Sequence, residues 1–385
     1  MICASCSSKQ SRDQTLTPQD LMIREDASLV SPALLSAAEV QEDIALLIYA
    51  LKNGYGGRKY VPQKVFEDAL AGLEKINSSM SPGELRDRVD AILWTIPDSH
   101  LKARLNGVHA AARMKFLTAG GVNGANAISD PKKIWQVRID SSQKKKILYV
   151  SITSFPSGRD AIWSGFIDAV KKHLKESSLM VLDLRGNGGG DDEYGYHLAE
   201  LLFGGKINDP VTREYFSQTP ETFMISANGA RMRDLYLKSH GQPVPDYLAK
   251  LHSEAMEKYR MAIAGTLPPE RIADEGQVIH KFDPKKGYTK PIFILLDGGC
   301  ASSCESTIGA FETNPMVKRV GSNSIGMIHF GNEGAVLLPH SKIHITMATK
   351  YNEYGDKRFI EKTGIKPDIE VPAGQDAYTF LKARI

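Results

Sequence analysis

Two stretches of this chain combine residue types and spacing that suit chemistry at a polarised oxygen. Arg185-Gly-Asn-Gly-Gly-Gly190 follows the apolar run 179–184, and Asp297-Gly-Gly-Cys-Ala-Ser-Ser-Cys-Glu305 follows the apolar run 291–296. Glycines after a buried strand allow positive φ and close backbone approach, and the helix that follows presents unpaired N–H groups in its first turn. Such a junction can hold a phosphate or an oxyanion. The phosphate reading fails on spacing, because the pattern begun by Gly186 and Gly188 has Asp191 where the last glycine should stand. Neither junction contains Gly-Lys-Ser/Thr, and Asp191 with Asp192 would repel a pyrophosphate. Ser302 places a hydroxyl at a helix N-terminus. Alone it reads as an N-cap; opposite a second glycine loop it reads as a nucleophile facing an oxyanion hole.

The elements that must position these loops alternate strand and helix. Residues 134–139 and 147–154 read as strands, 161–174 as a helix, and 179–184 and 291–296 as short buried strands, which argues an α/β core. Before them lies a helical stretch. Ser36 with Glu39 forms a capping box ahead of an apolar run that stops at Gly54, a second helix starts near Pro62, and Ser81-Pro82-Gly83-Glu84 opens a third. The chain therefore divides into a flexible tail at 1–30, an N-terminal helical domain at 31–105 and a core at 130–385. A partly helical insertion spans 205–290, with a helix expected at 247–263.

Composition bounds the class. With 385 residues, 42% hydrophobic and 24% charged, the chain can bury a large core. A net charge of +3 gives no basis for nucleic-acid binding, and no stretch reaches the roughly 20 apolar residues of a membrane span. Four cysteines in two pairs, Cys3/Cys6 and Cys300/Cys304, make no disulfide scaffold and no zinc spacing. His173, His197, His329, His340 and His344 form no ligand set, so neither a metal nor a cofactor is expected. Small residues running into Cys6 are similar to the end of a bacterial lipoprotein signal, although the charged and apolar regions that should precede it are missing. An envelope location with a lipid anchor at Cys6 stands beside a cytosolic N-terminus as the two readings.

Four stretches in order carry a specific resemblance: Ile147-Leu-Tyr-Val-Ser-Ile-Thr-Ser-Phe155, Leu182-Asp-Leu-Arg-Gly-Asn-Gly-Gly-Gly190, the segment from Asp297 through Val320-Gly321, and Gly364-Ile-Lys-Pro-Asp-Ile-Glu370. The chain resembles the serine peptidases of the C-terminal-processing (tail-specific) and tricorn type. The resemblance implies a ClpP/crotonase-like α/β core with a helical part beside the cleft. It puts Ser302 at the nucleophile and leaves Cys300 and Cys304 as flanking residues, whose oxidation to a disulfide is expected to distort the serine turn. The lysine of the tail-specific dyad falls on Met327, which cannot take a proton, and Lys318 would need a different loop path. The tricorn-like branch uses a Ser-His pair and a late glutamate instead, and the matching residues are Ser99, His100 and Glu361. His100 would serve as base and then acid, oriented by Glu361, by Ser99 or by both. The N–H of Ser303 and one from Gly188 or Gly189 would form the oxyanion hole, with Arg185 bracing its loop.

The expected function is a serine endopeptidase acting on extended or unfolded polypeptides. Only residues 101–146 separate His100 from the first matching strand, too few for a PDZ domain. The insertion is a candidate for substrate gating or for contacts in a homo-oligomer. A non-catalytic binding protein on the same core is the alternative, and an acyl-CoA enzyme of the crotonase type would have no use for Ser302.

Overall fold

The caps read in the sequence set the first helices of the computed structural model, which describes residues 16–111, 113, 133–141, 145–156, 160–274 and 280–385. Helix α1 (Ala37–Asn53) begins on Ser36, whose N–H donates to Glu39 Oε2 at 2.8 Å, and ends at Gly54. Helix α2 (Gln63–Glu74) follows Pro62, and α3 (Pro82–Leu93) follows Ser81. Then come β1 (Lys102–Leu105), β2 (Val108–His109), β3 (Trp135–Asp140), β4 (Ile147–Ile152), α4 (Phe166–Leu174), β5 (Leu179–Asp183) and α5 (Glu193–Phe203). The expected helix over 161–174 is broken at Gly165, which takes φ 76°. The stretch 205–290 supplies β6 (Val211–Ser217), α6 (Pro220–Ser239), α7 (Asp246–Ile263) and β7 (Glu270–Asp274). The chain closes with β8 (Ile292–Leu296), α8 (Ser303–Ala310), β9 (Val317–Gly321), β10 (Phe330–Leu337), β11 (His344–Tyr354), β12 (Ile369–Glu370) and α9 (Ala377–Lys382).

Two six-stranded sheets result. One runs β12-β9-β8-β5-β4-β3, parallel throughout except for the β3/β4 pair. Its central strands β4, β5 and β8 are buried on both faces, with alternate residues facing opposite sides. Leu148, Val150, Leu182 and Ile294 pack beneath α4, α5 and α8, while Tyr149, Val181, Leu295 and Val320 pack against α9. The other sheet runs β2-β1-β11-β6-β7, with β10 also paired to β11, and its assigned strand pairs are antiparallel.

Two packing features bear on the boundaries expected from the sequence. Residues 31–105 do not hold a core of their own: Leu47, Leu73 and Leu93 share one buried cluster with Phe330, Val336, Ile345 and Met347 from the C-terminal part of the chain. Three short amphipathic helices leave apolar faces that need a sheet, and β10 and β11 provide it. Nor is the stretch to residue 30 a tail throughout. Residues Pro18–Leu21 form a 3-10 turn, Leu21 and Ile23 are buried, and the Asn228 side chain accepts the Ile23 N–H at 3.0 Å and donates to Leu21 O at 2.6 Å. Cys3, Cys6 and the glycine-rich 120–126 stretch lie outside the described residues. No helix among those described is long and apolar enough to cross a membrane.

Candidate active site

Strand pairing brings the two glycine junctions together. β5 and β8 are parallel neighbours with Asp183 opposite Leu295, so the loops leaving both strands start side by side. Asp297 Oδ1 ties them by accepting the N–H groups of Gly186 and Gly299, each at 2.9 Å. Asn187 adds three bonds: its carbonyl accepts Ala301 N–H at 3.0 Å, its Oδ1 accepts Gly189 N–H at 2.9 Å, and its Nδ2 donates to Ile152 O at 3.1 Å. Arg185 is buried between Asp183 and Asp376, at 2.6 and 2.7 Å, and so braces its loop.

Ser302 stands at the N-terminus of α8 with φ 55° and ψ −120°. The ordinary serine caps of this chain, Ser36 and Ser81, take φ −70° with ψ 161° and 152°. A capping role alone does not require the positive φ, a conformation that costs a non-glycine residue about 1–3 kcal/mol and collects at functional turns. Against it lies Gly189, with φ 90°; a β-carbon there would stand 2.6 Å from Ala301 O and 2.9 Å from both Ser302 Cβ and Ser303 N. Ser303 is the first residue of α8, so its N–H has no intrahelical acceptor, and its Oγ donates to Gly190 O at 2.8 Å. Of the two candidate glycine donors, Gly189 has its N–H committed to Asn187, whereas Gly188 is exposed. Cys300 and Cys304 are joined in a disulfide that spans Ser302. Their Cα atoms stand 5.5 Å apart, within the ordinary range for a bridge.

Glu305, in the first turn of α8, is fully buried and gathers four donors. These are Ser302 N–H at 3.2 Å, Ser324 Oγ–H at 2.5 Å, Gly326 N–H at 2.8 Å and Met327 N–H at 2.7 Å. Burial raises its pKa, and the four donors oppose that rise. Met327 is buried with Ala301 and Ile325, and Lys318 on β9 is exposed beside Phe293 and Phe380.

The same 324–327 loop reaches the Pro97-Asp98-Ser99-His100 segment. Ser99 Oγ donates to Gly326 O at 2.9 Å, and Ser99 N–H donates to Glu361 Oε1 at 2.7 Å. Glu361 Oε2 accepts Ile328 and His329 N–H at 3.2 and 3.1 Å. One ring nitrogen of His100 and one carboxylate oxygen each from Asp98 and Glu361 lie within 4.8 Å of one another. Ser99 therefore meets Glu361 through its backbone, and its hydroxyl goes to Gly326. Burial lowers the His100 pKa to about 4, with Lys102 adding to the drop and Glu333 opposing it. Burial, then the charge of Asp98, raises Glu361 to about 8; burial likewise raises Asp98. Lys362 donates to Trp94 O and Ile96 O at 2.5 and 2.7 Å and covers the Trp94 ring, fixing the segment that leads into His100.

Asp98, Tyr55 and the reach of Glu305 were missed. Asp98 carried a signal, an acid two residues before a candidate histidine. Tyr55, which donates to Asp98 Oδ2 at 2.8 Å, carried none.

The fold is similar to solved structures over nearly its whole length. A protein from Parabacteroides merdae aligns with TM-score 0.54 and 15% identity, covering 90% of this chain and 97% of that one. Mature CPAF complexed with lactacystin aligns with TM-score 0.56 and 13% identity over 90% of this chain and 97% of its own. Mature CPAF alone gives 0.55 and 12%, over 90% and 96%. No curated protein matches the chain in sequence. The model of peptidase family S41 matches residues 146–371, which include both glycine junctions, Glu305 and Glu361. Spanning more than half of the chain, that match shows that it belongs to peptidase family S41, a serine-type peptidase.

Proposed function

We propose that the protein is an endopeptidase that cleaves extended or unfolded polypeptides through an acyl-enzyme on Ser302, with His100 as base and Glu361 behind it, in the tricorn-like arrangement. The observation that carries this reading is the strained turn at Ser302, packed on Gly189 and linked through Glu305, Gly326 and Ser99 to the His100 segment. His100, neutral at neutral pH, accepts the Ser302 hydroxyl proton as Oγ adds to the scissile carbonyl carbon. The N–H groups of Ser303 and Gly188 receive the oxyanion, and Gly189 lets the two loops approach closely enough to bring these donors together. Collapse breaks the C–N bond as the imidazolium protonates the leaving amine, and water repeats the sequence to release the acid. Asp98 and Glu361, with a carboxyl oxygen each within 4.8 Å of a His100 ring nitrogen, orient the ring and stabilise it when it becomes cationic. Hydrolysis of an unstructured polypeptide such as reduced, alkylated casein tests the reading. Cleavage by wild type that is lost in both Ser302→Ala and His100→Ala is expected. Equal cleavage by Ser302→Ala would overturn it, and no cleavage by folded wild type would favour the non-catalytic binding protein.

A further inference from the structure

We propose that Asp98, His100 and Glu361 form a binding site for a divalent cation of the zinc type, and that occupancy of this site silences the peptidase. The second half rests on the functional reading above; the first does not. The donor set is one imidazole nitrogen and two carboxylate oxygens mutually within 4.8 Å. Three such ligands with an open fourth position are a usual zinc set, and imidazole disfavours magnesium and calcium. With metal–ligand distances near 2.0–2.1 Å, ligands of a tetrahedral ion stand about 3.3 Å apart.

Three further observations point to a ligand. His100 is 5% exposed, yet its Nδ1 has no hydrogen-bond partner. A buried polar nitrogen left unpaired is costly and calls for a group to meet it. Both carboxylates are already oriented by outer donors, as metal-binding carboxylates usually are. Asp98 Oδ2 accepts Tyr55 Oη–H, and its Oδ1 accepts the N–H groups of His100 and Leu101 at 2.7 and 3.2 Å; Glu361 is held by Ser99, Ile328 and His329. Neither carboxylate has an ion pair with Lys or Arg among the described residues. The neighbouring cations are engaged elsewhere: Lys362 donates to two carbonyls and Lys102 pairs with Glu333 at 3.0 Å. The carboxyl groups of Asp98 and Glu361 thus stand beside the His100 ring with no cationic partner among the described residues, and an ion bound there would displace any proton they hold. An ion bound there would hold His100 by the lone pair that otherwise accepts the Ser302 proton.

The test uses the full chain carrying Cys3→Ser and Cys6→Ser, which removes competing thiols. Zn²⁺ binding is measured by calorimetry and Co²⁺ binding by visible absorption, neither of which needs activity. One ion per chain is expected, with tetrahedral Co²⁺ absorption and affinity at least about tenfold weaker in Asp98→Asn and Glu361→Gln. Both variants are near-isosteric, and their folding is checked by melting. Absence of binding to wild type, or equal affinity in folded variants, would overturn the site. Labelling of Ser302 by a fluorophosphonate, with and without Zn²⁺, reads the consequence. Labelling that is lost with Zn²⁺ and returns with chelator supports silencing, and labelling unchanged at saturating Zn²⁺ contradicts it. If Ser302 never labels in metal-free protein, the peptidase reading fails, while calorimetry still decides the site.

Discussion

Gly189 lies so close to Ser302 that a β-carbon on the glycine would stand 2.9 Å from the serine's own β-carbon. It would also stand 2.6 Å from Ala301 O, a backbone atom that cannot swing aside. Gly189→Ala is therefore expected to push the two junctions apart and misplace the oxyanion donors. Loss of one such donor costs about 10²–10³ in kcat. Steady-state kinetics should show a drop of that order with a small change in KM, and wild-type kcat would contradict the packing argument.

Strain at Ser302 gives a prediction on stability. Glycine adopts φ 55° without the cost borne by other residues, so Ser302→Gly is expected to melt higher than Ser302→Ala. A relief of about 1 kcal/mol corresponds to about 1 °C in a chain of this size. Identical melting temperatures, measured by calorimetry under reversible conditions, would mean the turn holds no strain.

Glu305 joins the serine turn to the loop that reaches Ser99. Glu305→Gln replaces one accepting oxygen by an NH₂ group that must face existing donors. A loss of about 1–3 kcal/mol is expected in urea unfolding, together with slower labelling of Ser302. Unchanged stability would show that the four bonds do not anchor this loop.

Raised and lowered pKa values at the site have opposite consequences with pH. Glu361 keeps its proton to about pH 8 when folded but loses it near 4.5 when unfolded, so its contribution to stability falls as pH rises through that window. His100, lowered from 6.5 to about 4, contributes fully above pH 6.5 and loses that contribution as pH falls towards 4. Between pH 6.5 and 8 the Glu361 effect stands apart from that of His100. Wild type is expected to lose melting temperature across this interval and Glu361→Gln to lose less. Parallel curves would contradict the raised value.

Much of this was legible because local signals and tertiary needs agreed. The Ser36/Glu39 box, the Ser81 cap and the buried strands before both glycine loops each announce an element by pattern alone, and each is present. Helix α6 was not legible: its buried residues include Thr222, Asn228 and Asp234, which blur the apolar period, and Asn228 is buried for its bonds to Leu21, Ile23 and Ala335. Nothing in the composition of β10 and β11 says that they close a sheet against α1–α3. At the site, Ser302 and its glycines could be read from spacing. The meeting of Asp98, His100 and Glu361 could not, because the backbone contact of Ser99 with Glu361 spans 262 residues. Motif resemblance supplied His100 and Glu361; Asp98 had a local signal two residues before His100, and Tyr55 came from three-dimensional packing alone.

The central claim is that Ser302 is activated by His100. Labelling of folded, metal-free protein with a fluorophosphonate, read by intact mass and peptide mapping in wild type and His100→Ala, tests it most directly. The expected result is a single adduct on Ser302 that disappears in His100→Ala. An adduct that persists without His100, or none on folded wild type, would contradict it.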